Sequence, residues 1–177
     1  MLTIDEIAAL YRDVVDFPRK GIVFKDLTTV LTHPGALGDA VTHMLGMVEN
    51  IPFNAVAAIE SRGFMFGGII ADRMDIPLVL IRKPGKLPAD VISEDYTLEY
   101  GTNTVEMHRN SLPEGSKVLI VDDLIATGGT AIAAGELIKR DGSVPVAAAF
   151  LMNLVFLGGA EKVEESGIPV HSLIKLN

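Results

Sequence analysis

Asp122 and Asp123 stand side by side after the apolar run Val118-Leu119-Ile120-Val121, and Leu124-Ile125-Ala126-Thr127-Gly128-Gly129-Thr130 follows them. Two adjacent carboxylates accept well from the hydroxyls of a sugar but would repel a phosphate placed against them. The loop behind them has the opposite preference. Gly128 and Gly129 let the backbone wrap closely around an anion, and Thr127 and Thr130 add hydroxyl donors. Ile132, Ala133, Leu137 and Ile138 then recur at helical spacing. A helix starting there offers unpaired N–H groups and a positive dipole end to the same anion. Phosphate at the loop and diol at the acids together describe a ribose 5-phosphate.

The run has two competing origins. A Walker B strand also ends an apolar run in an acid, but it requires a G-x-x-x-x-G-K-[ST] loop, which this chain lacks. An ordinary turn capped by Thr130 accounts for the glycines and leaves the paired acids unexplained.

Two further clusters follow apolar runs. Glu60-Ser61-Arg62-Gly63-Phe64 comes after Ala55-Val56-Ala57-Ala58-Ile59, and Arg82-Lys83-Pro84-Gly85-Lys86 comes after Leu78-Val79-Leu80-Ile81. Taken singly, such cations are most often solvated surface residues, and Ser61-Arg62 could be no more than a helix cap. Beside buried strands in an acidic chain, and stiffened by Pro84 and Gly85, they suit a polyphosphate better.

These clusters need a scaffold that brings them together. The short apolar runs at 55–59, 78–81, 118–121 and 146–152, separated by helical patterns, predict an α/β fold with a parallel central sheet flanked by helices. Ligands then bind off the carboxyl ends of the strands, where the first three clusters fall. Thr3 and Glu6 form a capping box ahead of Ile7, Leu10, Tyr11 and Val14, which predicts an N-terminal amphipathic helix. A second helix is expected after Pro34, with Leu37, Val41, Met44, Leu45 and Val48 on one face. Between Ile92 and Leu112 alternation predicts a β-hairpin, 96–100 against 104–108, joined by Gly101-Thr102-Asn103 and projecting from the sheet as a lid.

At 177 residues the chain suits one well-buried domain. Its mean hydropathy is +0.36, yet no apolar stretch approaches the roughly 20 residues of a membrane helix. The N-terminus lacks the basic and apolar regions of an export signal, and there is no cysteine for a disulfide framework or thiolate metal site, so cytoplasmic residence is expected. A net charge of −8 argues against a nucleic-acid partner. The four histidines are scattered and show no metal spacing.

The chain resembles the type I phosphoribosyltransferases over nearly its whole length. Val121 through Thr130 is the element shared across that family. Asp16-Phe17-Pro18 with Gly21, Phe24-Lys25-Asp26, Ser61-Arg62-Gly63-Phe64, Ile81 through Pro88, and Tyr96 with Leu98-Glu99-Tyr100-Gly101 resemble its adenine-accepting members. The resemblance implies a single domain over residues 1–177, with a small hood from about 1–35 plus the C-terminal segment, and a lid over about 82–112. It implies transfer of the 5-phosphoribosyl group from PRPP to N9 of adenine, giving AMP and pyrophosphate.

By that resemblance, Asp122 and Asp123 hold the ribose hydroxyls and Ala126, Thr127, Gly128, Gly129 and Thr130 the 5′-phosphate. Ser61, Arg62, Arg82, Lys83 and Lys86 hold the pyrophosphate, with a cis peptide between Glu60 and Ser61. Val23, Phe24, Lys25 and Leu154 form the adenine pocket. Glu99, Arg62 and Tyr100 are the implied catalytic residues, with Glu99 exchanging a proton at N7. The implied cofactor is Mg2+, carried by PRPP near Asp122 and Asp123 without a dedicated protein site, and the implied assembly is a homodimer. Asn153 departs from the pattern, since many relatives have glutamate before the leucine, and this bears on purine selectivity. The alternatives are a phosphoribosyltransferase for hypoxanthine, guanine or xanthine, and a non-catalytic PRPP-binding regulator, which would ordinarily need an appended basic segment.

Overall fold

The computed structural model describes residues 1–17, 19–98 and 101–177, with the backbone alone for 97, 98 and 101. The chain divides into two compact units, Met1–His43 and Met44–Asn177. Among the described residues no helix is long and apolar enough to cross a membrane.

In the first unit the Thr3–Glu6 capping box forms as expected and starts α1 (Ile4–Ala9). The helix is shorter than the periodicity predicts. Leu10 is its C-cap, and Arg12–Val15 becomes β1, which pairs antiparallel with β2 (Val23–Asp26) and so carries Val14 opposite Phe24. Strand pairing supplies more backbone hydrogen bonds here than one further helical turn would. Between the strands Asp16 has a φ of 59°, and its carboxylate accepts from Gly21 N–H at 2.6 Å. Asp26 ends β2 and ties it to α2 (Thr28–Thr32): it accepts from Thr28 N at 2.9 Å, Thr28 Oγ1 at 2.7 Å and Arg12 Nη2 at 2.5 Å.

α3 (Ala36–Met47) carries the chain into the second unit. Its buried side is Ala36, Ala40, Val41 and Met44, with Val48 just beyond, whereas Leu37 and Leu45 are half-exposed.

The second unit is built on a five-stranded, wholly parallel sheet in the order β4-β3-β7-β8-β9. Its strands are β3 (Ala55–Ile59), β4 (Leu78–Ile81), β7 (Lys117–Ile125), β8 (Val144–Leu154) and β9 (Val170–Leu176). The C-terminal segment, expected with the hood, thus supplies an edge strand of the central sheet. Every residue of β3 is buried, as a strand covered on both faces requires. One face of it, Ala55, Ala57 and Ile59, belongs to the core that includes Ala134, Leu137 and Ile138 of α5 (Gly129–Arg140). Alternation turns Val56 and Ala58 to the other face, toward α4 (Gly63–Met74). A Cβ on Gly67 would lie 2.6 Å from that of Ala58, so only glycine allows α4 to approach β3 this closely.

The chain leaves β3 outward to β4 and returns on the other side of β3 as β7. The loops after β3 and β7 therefore diverge to opposite faces and open a crevice at the reversal, which is where ligands bind in such sheets. β7 also runs further than its apolar core predicts. Because β8 extends to Leu154, β7 keeps a ladder partner through Ile125, with Asp122 opposite Phe150. The acids therefore sit within the strand rather than after it.

The hairpin forms its own two-stranded sheet, β5 (Val91–Leu98) with β6 (Gly101–His108). Leu98 pairs with Gly101 and Tyr96 with Asn103, so Gly101-Thr102-Asn103 is strand and not the expected connection. The hairpin does not simply project. Ile92, Val105 and Met107 are buried in the main core, and Arg82 bridges to Glu106.

Asp26 offers a test of the first unit. The side-chain and backbone donors of Thr28, then Arg12, hold its carboxyl at about 2. A carboxyl depressed on folding stabilises the fold above its unfolded value of about 3.9 and loses that contribution as pH falls toward the folded value. Asp26→Asn should therefore lower Tm at pH 7, and the gap from wild type should shrink between about pH 4 and pH 2.

Candidate active site

The loop after β7 closes a cavity of about 100 Å³ lined by Asp122, Ala126, Thr127, Gly128, Gly129 and Thr130 among others. Gly128 is the N-cap of α5 at a φ of 82° and no side chain caps the helix, so its first N–H groups face an incoming anion. The wall behind is made by α6 (Gly159–Glu165). A Cβ on Gly159 would stand 2.1 Å from the Ala126 carbonyl oxygen, and one on Gly128 2.5 Å from that of Gly159. Two glycines thus let two backbones touch and fix the curvature of the cradle. Gly159 is a residue that motif reading missed. Its only signal in the sequence is the Gly158-Gly159 pair, which reads as an ordinary turn.

A second cavity, of about 410 Å³, lies beside it and shares Asp122 with the first. Its lining includes Glu60, Ser61, Arg62, Lys83, Asp122 and Asp123. Asp123 is buried and paired with Arg62 Nε at 2.9 Å. Asp122 accepts from the Asp123 N–H at 2.8 Å. Burial and then the neighbouring Asp123 charge push the Asp122 carboxyl well above the ordinary carboxylate range. Burial also raises Asp123, with Arg62 pulling against it. A Cβ on Gly63 would meet Asp122 Oδ1 at 2.9 Å, so the loop after β3 can lie against the acids only with glycine there.

The Glu60–Ser61 peptide is cis, as the resemblance implies. Glu60, which sequence reading gave no role, anchors the loop. Its carboxylate accepts from Arg82 Nε and from Lys83 N–H, both at 3.1 Å. Burial opposes its charge, but the Lys83 N–H and the Arg82 guanidinium outweigh burial and hold its carboxyl below the usual value. Arg82 also donates to the Lys86 carbonyl at 3.1 Å and lies 5.7 Å over the Phe64 ring. The predicted pyrophosphate cations thus take different places: Arg62 and Lys83 line the cavity, while Arg82 braces the loop.

Residues 31–172 match the phosphoribosyl transferase domain. The chain belongs to the phosphoribosyltransferase family. Among curated members it is 43% identical over 175 residues to the adenine phosphoribosyltransferase of Rhizobium johnstonii, covering 99% of this chain and 97% of that one. The crystal structure of adenine phosphoribosyltransferase from Thermoanaerobacter pseudethanolicus superposes with a TM-score of 0.94 at 43% identity, over 98% of this chain and 100% of the other. The Saccharomyces cerevisiae enzyme, solved with an imino-altritol bisphosphate and adenine, gives 0.87 at 36% identity over 96% and 97%.

The remaining predicted residues of this phosphoribosyltransferase are spread over both units. Val23, Phe24 and Lys25 lie on β2 in the first. Phe24 packs edge-on to Phe17 at 5.3 Å, and Lys25 pairs with Asp13 at 2.5 Å. Leu154 ends β8 in the second unit, after the buried Asn153. Glu99 and Tyr100, like Pro18, lie outside the described residues.

Two outcomes follow. A carboxyl raised on folding penalises the fold above its unfolded value of about 3.9, so neutralising it removes the penalty. Asp122→Asn should raise the ligand-free Tm at pH 7, by about 2–4 °C per kcal/mol relieved, and the gain should vanish below about pH 4. Gly159→Ala should weaken AMP binding at least about 10-fold by pushing Ala126 and Gly128 out of the cradle, a distortion of a kind that costs about 1–3 kcal/mol in packed sites; calorimetric titration reads it.

Proposed function

We propose that the protein transfers the 5-phosphoribosyl group from PRPP to N9 of adenine, forming AMP and releasing pyrophosphate, a purine salvage reaction. The observation that carries this is the juxtaposition at one crevice of an uncapped, glycine-lined helix start and an acid pair, Asp123 buried and Asp122 lining both cavities. The phosphate of the substrate fits the first and the ribose diol the second. The pyrophosphate then falls in the larger cavity beside Ser61, Arg62 and Lys83, with Lys86 near the loop that Arg82 braces.

The chemistry follows from charge. The C1′–O bond to pyrophosphate breaks and the C1′–N9 bond forms, with positive charge on the sugar between the two events. Arg62 and Lys83 stabilise the departing polyanion in a site prepared for it. Asp122 and Asp123 hold the hydroxyls and face the charge that develops on the ring. Glu99 takes up the proton that adenine sheds through N7, and Tyr100 lies beside it in the same motif.

Mg2+ fits this site as a shared ion. Its preferred ligands are hard oxygens, and the carboxylates of the half-buried Asp122 and the buried Asp123 lie here, with Arg62 paired to Asp123. When bound with PRPP, it would be held next to Asp122 and Asp123 and would supply positive charge to offset the pyrophosphate as it leaves. This reading assigns adenine recognition to Val23, Phe24 and Lys25 of the first unit and to Leu154 of the second. The proposal includes a homodimer acting in the cytoplasm.

The deciding experiment is PRPP- and magnesium-dependent conversion of adenine to AMP, run beside hypoxanthine, guanine and xanthine at equal concentration. Strong preference for adenine is expected. Turnover of another purine would overturn the base assignment alone, and turnover of none would favour a PRPP-binding regulator. Glu99→Gln should lower kcat by about 100-fold or more while leaving PRPP affinity nearly unchanged, because general acid–base groups act on the chemical step. An unchanged kcat would remove Glu99 from the mechanism.

A further inference from the structure

The Tyr96 phenol on β5 lies against the phosphate cradle, with Thr130 Oγ1 donating to Tyr96 Oη at 3.1 Å. Tyr96 packs on the main core, and the same strand is fastened to the far end of the same helix. Arg140, the last residue of α5, donates to the Ser93 carbonyl at 2.8 Å and pairs with Glu94 at 2.6 Å. Ile92, on the same face of β5 as Glu94 and Tyr96, is buried in the core that includes Leu137 and Ile138. One strand is thus tied to both ends of the helix whose start forms the anion cradle.

A threonine hydroxyl and a phenol each carry one proton and can accept as well as donate. While Thr130 donates to Tyr96, its proton is not available to a ligand. An anion in the cradle accepts only, so it draws the Thr130 proton toward itself. The pair then reverses, with Tyr96 donating to Thr130 Oγ1 and Thr130 donating to the anion. A hydroxyl that accepts one hydrogen bond donates a stronger one, which suits a charged acceptor.

Resting on the reading of this cradle as a 5′-phosphate site, we propose that Tyr96 is a positioning residue for the phosphate, acting through Thr130, and that occupancy of the cradle tightens β5 onto α5. Tyr96→Phe keeps the packed ring and removes only the phenol oxygen. The bond exists with and without ligand, so affinity reads only its strengthening toward a charged acceptor, which corresponds to about a five-fold change.

The test compares wild type, Tyr96→Phe, Thr130→Val and the double variant for AMP affinity by calorimetry, and wild type with Tyr96→Phe for backbone hydrogen exchange of residues 92–96 with and without saturating AMP. The expected result has four parts: Tyr96→Phe binds AMP about five-fold more weakly; it adds nothing to Thr130→Val; AMP slows exchange of 92–96 in wild type but less in Tyr96→Phe; and the ligand-free Tm of Tyr96→Phe falls by no more than about 2–4 °C, the share of one hydrogen bond. Equal AMP affinities, additive losses, or equal slowing of exchange would overturn the proposal. So would a larger fall in Tm with faster exchange already in the ligand-free variant, which marks Tyr96 as merely structural. Failure of wild type itself to bind AMP would instead bring down the phosphate assignment, and this inference with it.

Discussion

Parallel pairing of β3 with β7 at the reversal of strand order is the constraint from which the site follows. It places the ends of two neighbouring strands side by side while sending their helices to opposite faces. The crevice between them receives the cis-peptide loop from one side and the acid pair with its glycine cradle from the other. These elements approach so closely only because a glycine stands at each contact: Gly63 against Asp122, Gly67 against Ala58, and Gly159 against Ala126. Close backbone approach here decides where charge ends up.

The charges are unevenly matched. Asp122 and Asp123 are adjacent in sequence and the ion pair with Arg62 falls to Asp123, so a charge on Asp122 has no cation of its own to meet it. Such a site favours whatever brings hydroxyl donors or a cation to the acids. On the other side of the larger cavity the imbalance is reversed. Glu60 takes up Arg82, leaving Lys83 to line the opening, and a bracing ion pair sits behind the cation that faces the ligand. A ligand with a diol at one end and a polyanion at the other meets both imbalances at once.

Much of this was legible in the sequence, for identifiable reasons. The parallel sheet shows in apolar runs too continuous for half-exposed strands, and the cradle in Thr127 to Thr130, where each residue type has a local job. What was not legible depends on long-range contact. The extension of β7 through its acids depends on the length of β8, which an apolar run does not disclose. The β1–β2 hairpin cut short an apolar spacing that continued the α1 pattern through Val14. The work of Glu60, Gly159 and Tyr96 lies in partners 22, 33 and 34 residues away, or nearly so, and no local pattern marks it.

The placement of the acids inside β7 rather than in a loop after it has one more consequence. Asp122 is opposite Phe150 in a ladder that continues to Ile125, so the backbone cannot swing one carboxylate away from the other. Burial, and then the Asp123 charge, instead push Asp122 toward its protonated form. A ligand that draws Asp122 into its charged form must eject that proton. Association is then a proton-releasing event, and its apparent heat varies with the protonation enthalpy of the buffer that collects what the site gives up.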